Sequence, residues 1–392
     1  MFSNFNIWLM SAEIGLMLIA VACLLLDLYF PHSMRRGNIL SDTAMAGCVA
    51  LAALLVVKCD TLGSLFGGAF VQDGFAVFFK VMFLVAAFFV FFMAKKFEHH
   101  LERGHNEFIL LILFGLIGMF YLVSANDFLL LFVALETLTI SFYIITAYLR
   151  TDSRSIEAGV KFLILGAIST ALMIYGISFI YGTTGSTSYV EIQKALMDQQ
   201  MLPAGFKFGM ILVFISLSFK IAATPFHVWV PDVYQGAPTP ITAFLAMGSK
   251  AAAIGALTRL LMTVFMPFAS TFLVPLFSIL AVLTILFGNL GAIGQTNIKR
   301  LLAYSSISHA GYLLMSLAAF EHLGAEAVLV YLATYVFSTA GAFLVAIWIY
   351  NDSGSDEISA FAGLSQRSPV LAAGMLVALS SLAGVPPLAE TR

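Results

Sequence analysis

Charge is what this sequence has least of. Only 10% of its 392 residues are Asp, Glu, Lys or Arg, against about one quarter in a soluble domain, whereas 61% are hydrophobic and the mean hydropathy is +0.99. So little charge cannot clothe a water-facing surface, so a soluble enzyme is excluded and lipid is the expected solvent. Cysteine is also scarce. Cys23, Cys48 and Cys59 lie in or at the end of apolar segments, without the spacing of a metal site or disulfide framework. A net charge of −2 leaves no basic footprint for nucleic acid, and no soluble stretch is long enough to hold a dinucleotide. The short alternating segments of a membrane β-barrel are missing too.

What the sequence does contain is long apolar runs. A helix needs about 20 such residues to cross a hydrocarbon core of about 30 Å. Runs of that kind occupy about 7–30, 39–58, 75–94, 108–123, 127–149, 157–182, 206–230, 240–266, 271–292, 298–320 and 326–350. A partial twelfth starts at Pro369. The first run contains Glu13 and Asp27, lacks a basic leading segment and is followed by no small-residue cleavage site, so it reads as a retained span rather than a signal peptide. Arg35, Arg36, Lys95, Lys96, Arg103, Arg150, Arg154, Lys299, Arg300 and Arg367 fall in odd-numbered connections, and only Lys58, Lys194 and Lys207 in even ones. That asymmetry places the N-terminus outside. The longer connection at about 183–205 reads as a turn followed by a small amphipathic surface helix.

Charges inside the spans narrow the function. Each costs about 2.5–3.5 kcal/mol at the bilayer centre even on a mild scale, so each needs a partner, a water path or a role. Glu136 lies mid-way along the fifth span, Lys220 in the seventh and Lys250 in the eighth. Lys161, early in the sixth, follows Glu157 at a spacing that pairs them on one helix face, and is near enough to the end to snorkel. Lys80, Arg259, Glu13 and Asp27 lie toward span ends and are expected at the interface. Burial disfavours the charged form of lysine and glutamate alike, and a nearby opposite charge restores it, so a buried Glu–Lys pair can be toggled between proton-holding states.

The stretch "FKIAATPFHVWVPDVYQGAPTP", residues 219–240, sets a break beside one of these charges. Pro225 removes a backbone N–H and clashes with the preceding turn, so carbonyls near residue 221 need other partners. At membrane depth that is tolerated only against protein or a water-lined cavity, and transporters expose ion sites at such breaks. His227, just past the proline, is either a relay or a polar residue satisfied at the break. "PDVYQGAPTP" reads as a stiff turn into the eighth span. A second polar seam, "QTNIKRLLAYSSISHAGYLLM", runs along the tenth span. Its hydroxyls and His309 either carry water and protons or pack and bond neighbouring helices.

These two segments, together with "ITAFLAMGSKAA" and "GNLGAIG", resemble the antiporter-like subunits of proton-pumping NADH:quinone oxidoreductase, respiratory complex I, most nearly the bacterial subunit N type. The resemblance runs from about residue 70 to 387. It implies an all-helical membrane fold with a broken seventh helix and two inverted five-helix repeats. The domains are then 1–107 (helices 1–3), 108–266 (the first repeat) and 267–392 (an incomplete second repeat). It also implies that Glu136 pairs with Lys220, that Lys250 passes protons onward, and that Lys161, His227 and His309 belong to the proton path. No cofactor or metal is expected on this chain; NADH, flavin, iron–sulfur clusters and quinone belong to partner subunits. The expected partners are other complex I membrane subunits, lipid, water and protons, in the bacterial inner membrane.

One departure stands out. "SLAGVPPLAETR" ends where the family's second break and outlet lysine are expected, and neither Glu390 nor Arg392 occupies a matching position. The chain therefore reads as truncated, with the expectation that it does not complete a transmembrane path. Rival readings are an Mrp-type cation/proton antiporter subunit and a non-conducting structural subunit.

Overall fold

Aspartate and asparagine, scarce as they are, mark where the helices begin. In the computed structural model, which describes residues 6–29, 34–101, 104–197, 202–265, 273–319 and 322–385, Asp73 accepts the Ala76 N–H at the start of α3 (Gly74–Phe97). Asp127 accepts the Leu129 and Leu130 N–H groups at α5 (Phe128–Thr146), and Asp152 that of Arg154 at α6 (Ser153–Thr184). Asn297 does the same for α13 (Ile298–Ala318). A side-chain oxygen there satisfies N–H groups that have no partner within the helix, which is why these residues sit at span starts.

The first helices are α1 (Ser11–Tyr29) and α2 (Met34–Val57). A short antiparallel hairpin, β1 (Gly63–Leu65) and β2 (Phe70–Gln72), leads from α2 to α3, and α4 (His105–Ser124) follows α3. The connection after α6 carries α7 (Tyr189–Met197), the small surface helix expected there. The seventh span is split into α8 (Ala204–Ile221) and α9 (Trp229–Gly236). The eighth runs as α10 (Thr239–Phe244), a π-turn over Leu245–Ser249, and α11 (Lys250–Leu260). Then come α12 (Val274–Ile293), α13, α14 (His322–Ser353), the single-turn α15 (Leu364–Arg367) and α16 (Pro369–Leu382).

Among the described residues ten helices are long and apolar enough to cross a membrane, and these coincide with ten of the eleven full runs read from the sequence. The eleventh is α13. It has the length, 21 residues, but its hydroxyls and histidine lower its apolarity. "PDVYQG" is helical rather than a turn: Pro231 lies in the first turn of α9, where its missing N–H has no intrahelical acceptor to lose. Residues 386–392, with Glu390 and Arg392, lie outside the described part.

Helix contacts are closest where glycine removes a side chain. A Cβ on Gly176 of α6 would stand 2.6 Å from the Gly209 carbonyl of α8, and one on Gly209 would stand 2.6 Å from the Gly176 carbonyl. This reciprocal approach holds the broken helix against α6, the small-residue packing that serves where lipid supplies no hydrophobic drive. One local arrangement also occurs twice. The start of α5 bridges to the segment after α6 through Asp127 and Ser188, and the start of α13 bridges to the segment after α14 through Asn297 and Glu357.

Three charges are deeper than their positions near span ends suggested. Glu13 and Lys80 are fully buried and ion-paired at 2.6 Å. Arg259 is buried as well, its guanidinium donating two hydrogen bonds of 2.8 Å to Asp73 and one of 2.7 Å to the Val123 carbonyl. Pairing removes the need to reach water, so these side chains do not snorkel. Asp27 is half-buried near the end of α1, in keeping with an interfacial place.

Partial burial pushes the Asp73 carboxyl up, but the Arg259 hydrogen bond and charge, with the Ala76 N–H, outweigh it and hold the group below the ordinary aspartate range. A depressed carboxylate stabilises the fold above the unfolded value of about 3.9 and loses that contribution as pH falls through its lower folded value. Thermal unfolding of Asp73→Asn in detergent is therefore expected at lower temperature than wild type near neutral pH, with the gap closing below about pH 4. A gap that is the same at both pH values would contradict the assignment.

Candidate functional site in the membrane interior

The break in the seventh span is satisfied by protein groups. After α8 ends, Ala222 takes a left-handed conformation (φ 66°) and the Ala223 N–H closes onto the Ser218 carbonyl at 2.9 Å. The indole N–H of Trp229 reaches back to the Phe219 carbonyl at 3.1 Å, and Thr284 of α12 accepts the Thr224 N–H at 2.9 Å. Thr284 was not legible in the sequence, since nothing there says that α12 lies against the break.

Lys220 occupies the last turn of α8, where a cation complements the exposed carbonyl end of the helix. It is buried and donates to the Thr139 hydroxyl at 3.0 Å. The faces of Tyr143, Phe162 and Phe219 surround its ammonium with ring centroids 5.5–5.9 Å away, a cation–π enclosure. Glu136 is on the same helix as Thr139, one turn earlier, but makes no direct ion pair with Lys220. It instead accepts a 2.7 Å hydrogen bond from Thr170 of α6 and faces a groove of about 580 Å³ between α5 and α6. Tyr143 lines that groove and also shields Lys220, and its buried hydroxyl has no hydrogen-bond partner among the described residues. In place of the implied Glu136–Lys220 pair, Thr170 bonds the glutamate and Thr139 the lysine.

Lys250 directly follows the π-turn of the eighth span, the kind of irregularity that re-aims a side chain. It is buried and donates to both the carbonyl and the hydroxyl of Ser306 on α13. Ser306 also meets the Tyr234 hydroxyl of α9 at 3.4 Å. One turn further along α13, His309 Nδ1 lies 2.5 Å from the Tyr331 hydroxyl of α14, beside the rings of Tyr312 and Tyr335. Of the serines in the tenth-span seam, Ser306 is the one that holds a lysine.

Lys161 belongs to a different cluster. It pairs with Glu157 at 2.7 Å, as the spacing suggested, and with Asp232 of α9 at 2.6 Å. Arg300 approaches the other oxygen of Asp232 at 2.8 Å, so one carboxylate ties α6, α9 and α13 together. Nearby, Lys299 pairs with Asp356 at 3.3 Å on the wall of a cavity of about 280 Å³ that is also lined by Asp152 and Arg154. His227 stands apart from both lysine clusters, half-buried, with Nδ1 3.3 Å from the Thr224 hydroxyl and its ring near Phe287. Among the described residues no group of acids, histidines and cysteines could hold a metal ion.

The family model described as NADH:quinone oxidoreductase/Mrp antiporter, TM, matches residues 125–391. NADH-quinone oxidoreductase subunit N of Moorella thermoacetica is 44% identical over 98% of this chain and 80% of its own length, and that of Desulforamulus reducens is 40% identical with the same coverage. The chain belongs to the subunit N family of NADH-quinone oxidoreductases. A chain of respiratory complex I from Thermus thermophilus superposes on this family member with a TM-score of 0.80 at 32% identity, covering 96% of this chain and 79% of the other. A chain of the Mrp complex from Dietzia matches with a TM-score of 0.83 at 20% identity, covering 97% and 72%, and shares the fold.

Thr139 and Tyr143 are the subunit N residues that sequence reasoning passed over beside Lys220. The signal for Thr139 was available, as a hydroxyl one turn from Glu136. Thr139→Val leaves the buried ammonium without its side-chain hydrogen bond, a loss of about 1–3 kcal/mol, whereas Thr139→Ser keeps it. A lowered unfolding midpoint in the valine variant alone is the expected result; equal midpoints would remove Thr139 from the site.

Proposed function

We propose that the chain is a proton-translocating membrane subunit of NADH:quinone oxidoreductase, moving protons outward as electrons pass from NADH to quinone in partner subunits. The observation that carries this reading is the pair of buried lysines, Lys220 and Lys250. Each is held by a hydroxyl rather than a carboxylate, and α9 connects their surroundings. A lysine so held has no fixed counter-charge to lose when it passes its proton on.

Glu136 is the group through which a neighbouring subunit acts. It faces the groove at the protein surface, so a charge arriving there changes the field on Lys220 across Tyr143. Release of the Lys220 proton alters the last turn of α8 and the break that follows. Through α9, Tyr234 transmits that change to Ser306, which holds Lys250. His309 and Tyr331 continue the hydroxyl and imidazole chain into α14. Lys161, with Asp232 and Arg300, fixes the first turn of α9; His227 lines the break itself.

Flavin, iron–sulfur clusters and the quinone site belong to partner subunits in this reading. The twice-used bridge at the starts of α5 and α13 supports the division into residues 1–107, a repeat at 108–266 and a second at 267–392. Since the fifth and tenth spans start on opposite faces of an alternating chain, the repeats are inverted. The lysine and arginine asymmetry supports an outside N-terminus.

Lys220→Ala in the assembled enzyme, reconstituted in vesicles, is expected to lower the number of protons moved per NADH oxidised while NADH oxidation continues. An unchanged ratio would leave the chain a structural subunit. Glu136→Gln is expected to lower the ratio too, with Lys220 still in place, because the partner's signal no longer reaches it.

A further inference from the structure

The three rings around the Lys220 ammonium come from three helices: Tyr143 from α5, Phe162 from α6 and Phe219 from α8. A fourth ring joins two of them. Trp229, the first residue of α9, lies on Phe162 with centroids 4.6 Å apart and planes 15° apart, and against Phe219 at 5.3 Å and 33°. Phe162 in turn meets Tyr143 edge-on at 5.0 Å. All four side chains are buried. They form a continuous series, Tyr143–Phe162–Trp229–Phe219, in which Trp229 is the link between the α6 wall and the α8 wall.

We propose that Trp229 is a positioning residue for Lys220: its indole holds Phe162 and Phe219 in place as walls of the enclosure and so keeps the amine shielded. Phe219 and Lys220 lie in the last turn of α8, beside the break, where the helix itself constrains a side chain least. Trp229 fixes this turn from two directions. Its N–H donates to the Phe219 carbonyl at 3.1 Å, and its ring packs on the Phe219 ring. Rings so arranged attract one another beyond the area they bury. A ring face interacts with a cation only within about 6 Å, and the three faces stand 5.5–5.9 Å from the ammonium. A small retreat of Phe162 or Phe219 therefore opens the enclosure.

The break is what makes this contact possible. In an unbroken helix residue 229 would stand about 13 Å beyond residue 220 along the axis; the turn after α8 brings it back to the rings beside Lys220. The ring matters more than the N–H. The Phe219 carbonyl also accepts the Ala222 N–H at 3.2 Å, so it keeps a partner without the indole. A phenylalanine at 229 can still stack on Phe162 and Phe219, and a leucine cannot.

This inference rests on the proton-translocating reading only for why Lys220 is shielded, and its test does not involve pumping. The assembled complex in vesicles is treated with methyl acetimidate, a membrane-permeant reagent for lysine amines, and the peptides carrying Lys220, Lys80 and Lys250 are quantified by mass spectrometry. All three buried lysines are expected to be protected in the wild type. Trp229→Leu is expected to raise labelling of Lys220 several-fold and leave Lys80 and Lys250 protected, whereas Trp229→Phe stays near wild type. Three results would overturn the proposal: Lys220 still protected in the leucine variant, the phenylalanine variant labelled as strongly as the leucine one, or labelling that rises at Lys80 and Lys250 too, which is general loosening of the bundle. Should Trp229→Leu fail to assemble, Phe162→Leu breaks the same series at its neighbour, and a Lys220 that stays protected there overturns the proposal equally. A Lys220→Ala enzyme that pumps normally would remove the proposed function and leave these labelling results unaffected.

Discussion

An unpartnered charge in a low-dielectric interior is the condition this fold is arranged to avoid. Every deep lysine or arginine described above has a specific counterpart, and the kind of counterpart differs with place. Arg259 and Lys80 are matched by carboxylates. Lys220 and Lys250 are matched by hydroxyls, a carbonyl and ring faces. Carboxylates hold a cation firmly because both charges lose if they part. Hydroxyls and carbonyls hold it through hydrogen bonds alone, with no matching charge. The contrast separates cations that lock helices together through a carboxylate from cations held by neutral groups.

The break in the seventh span follows from the same constraint. Pro225 frees backbone groups at membrane depth, and the structure closes them with Trp229 and Thr284 rather than leaving them to lipid. What the break achieves is positional. It ends α8 one residue after Lys220, and it turns the chain so that α9 can place Tyr234 on Ser306 and Asp232 between Lys161 and Arg300. A continuous helix would carry those side chains past their partners. The glycine contact between α6 and α8 then holds the broken helix against its neighbour.

Membership of the subunit N family accounts for much of this arrangement and leaves part of it open. The family model begins at residue 125, and α1, α2 and α3 lie before it. Those helices nonetheless carry a buried charge pair whose lysine also bonds Gln72 of the hairpin, and through Asp73 they hold α11, the helix that begins at Lys250. They are therefore not a passive addition to the repeats.

The sequence alone determined the solvent, the spans and the break, because each rests on local chemistry: apolar runs of sufficient length, a proline inside one of them, and acids at helix starts. It also singled out Glu136, Lys220 and Lys250, since a charge within an apolar run is visible without any fold. Only the tertiary structure decided which side chains meet. Glu13 and Lys80 lie far apart in the chain and near span ends, so sequence position put both at the interface, whereas packing of α1 and α3 against α4 buries them. His227 lay next to the break in sequence and was read with the lysines, but the turn points it toward Phe287 of α12. Partners such as Thr170, Ser306 and Tyr331 depend on which helix faces which across the membrane, and a hydropathy pattern carries no information about that.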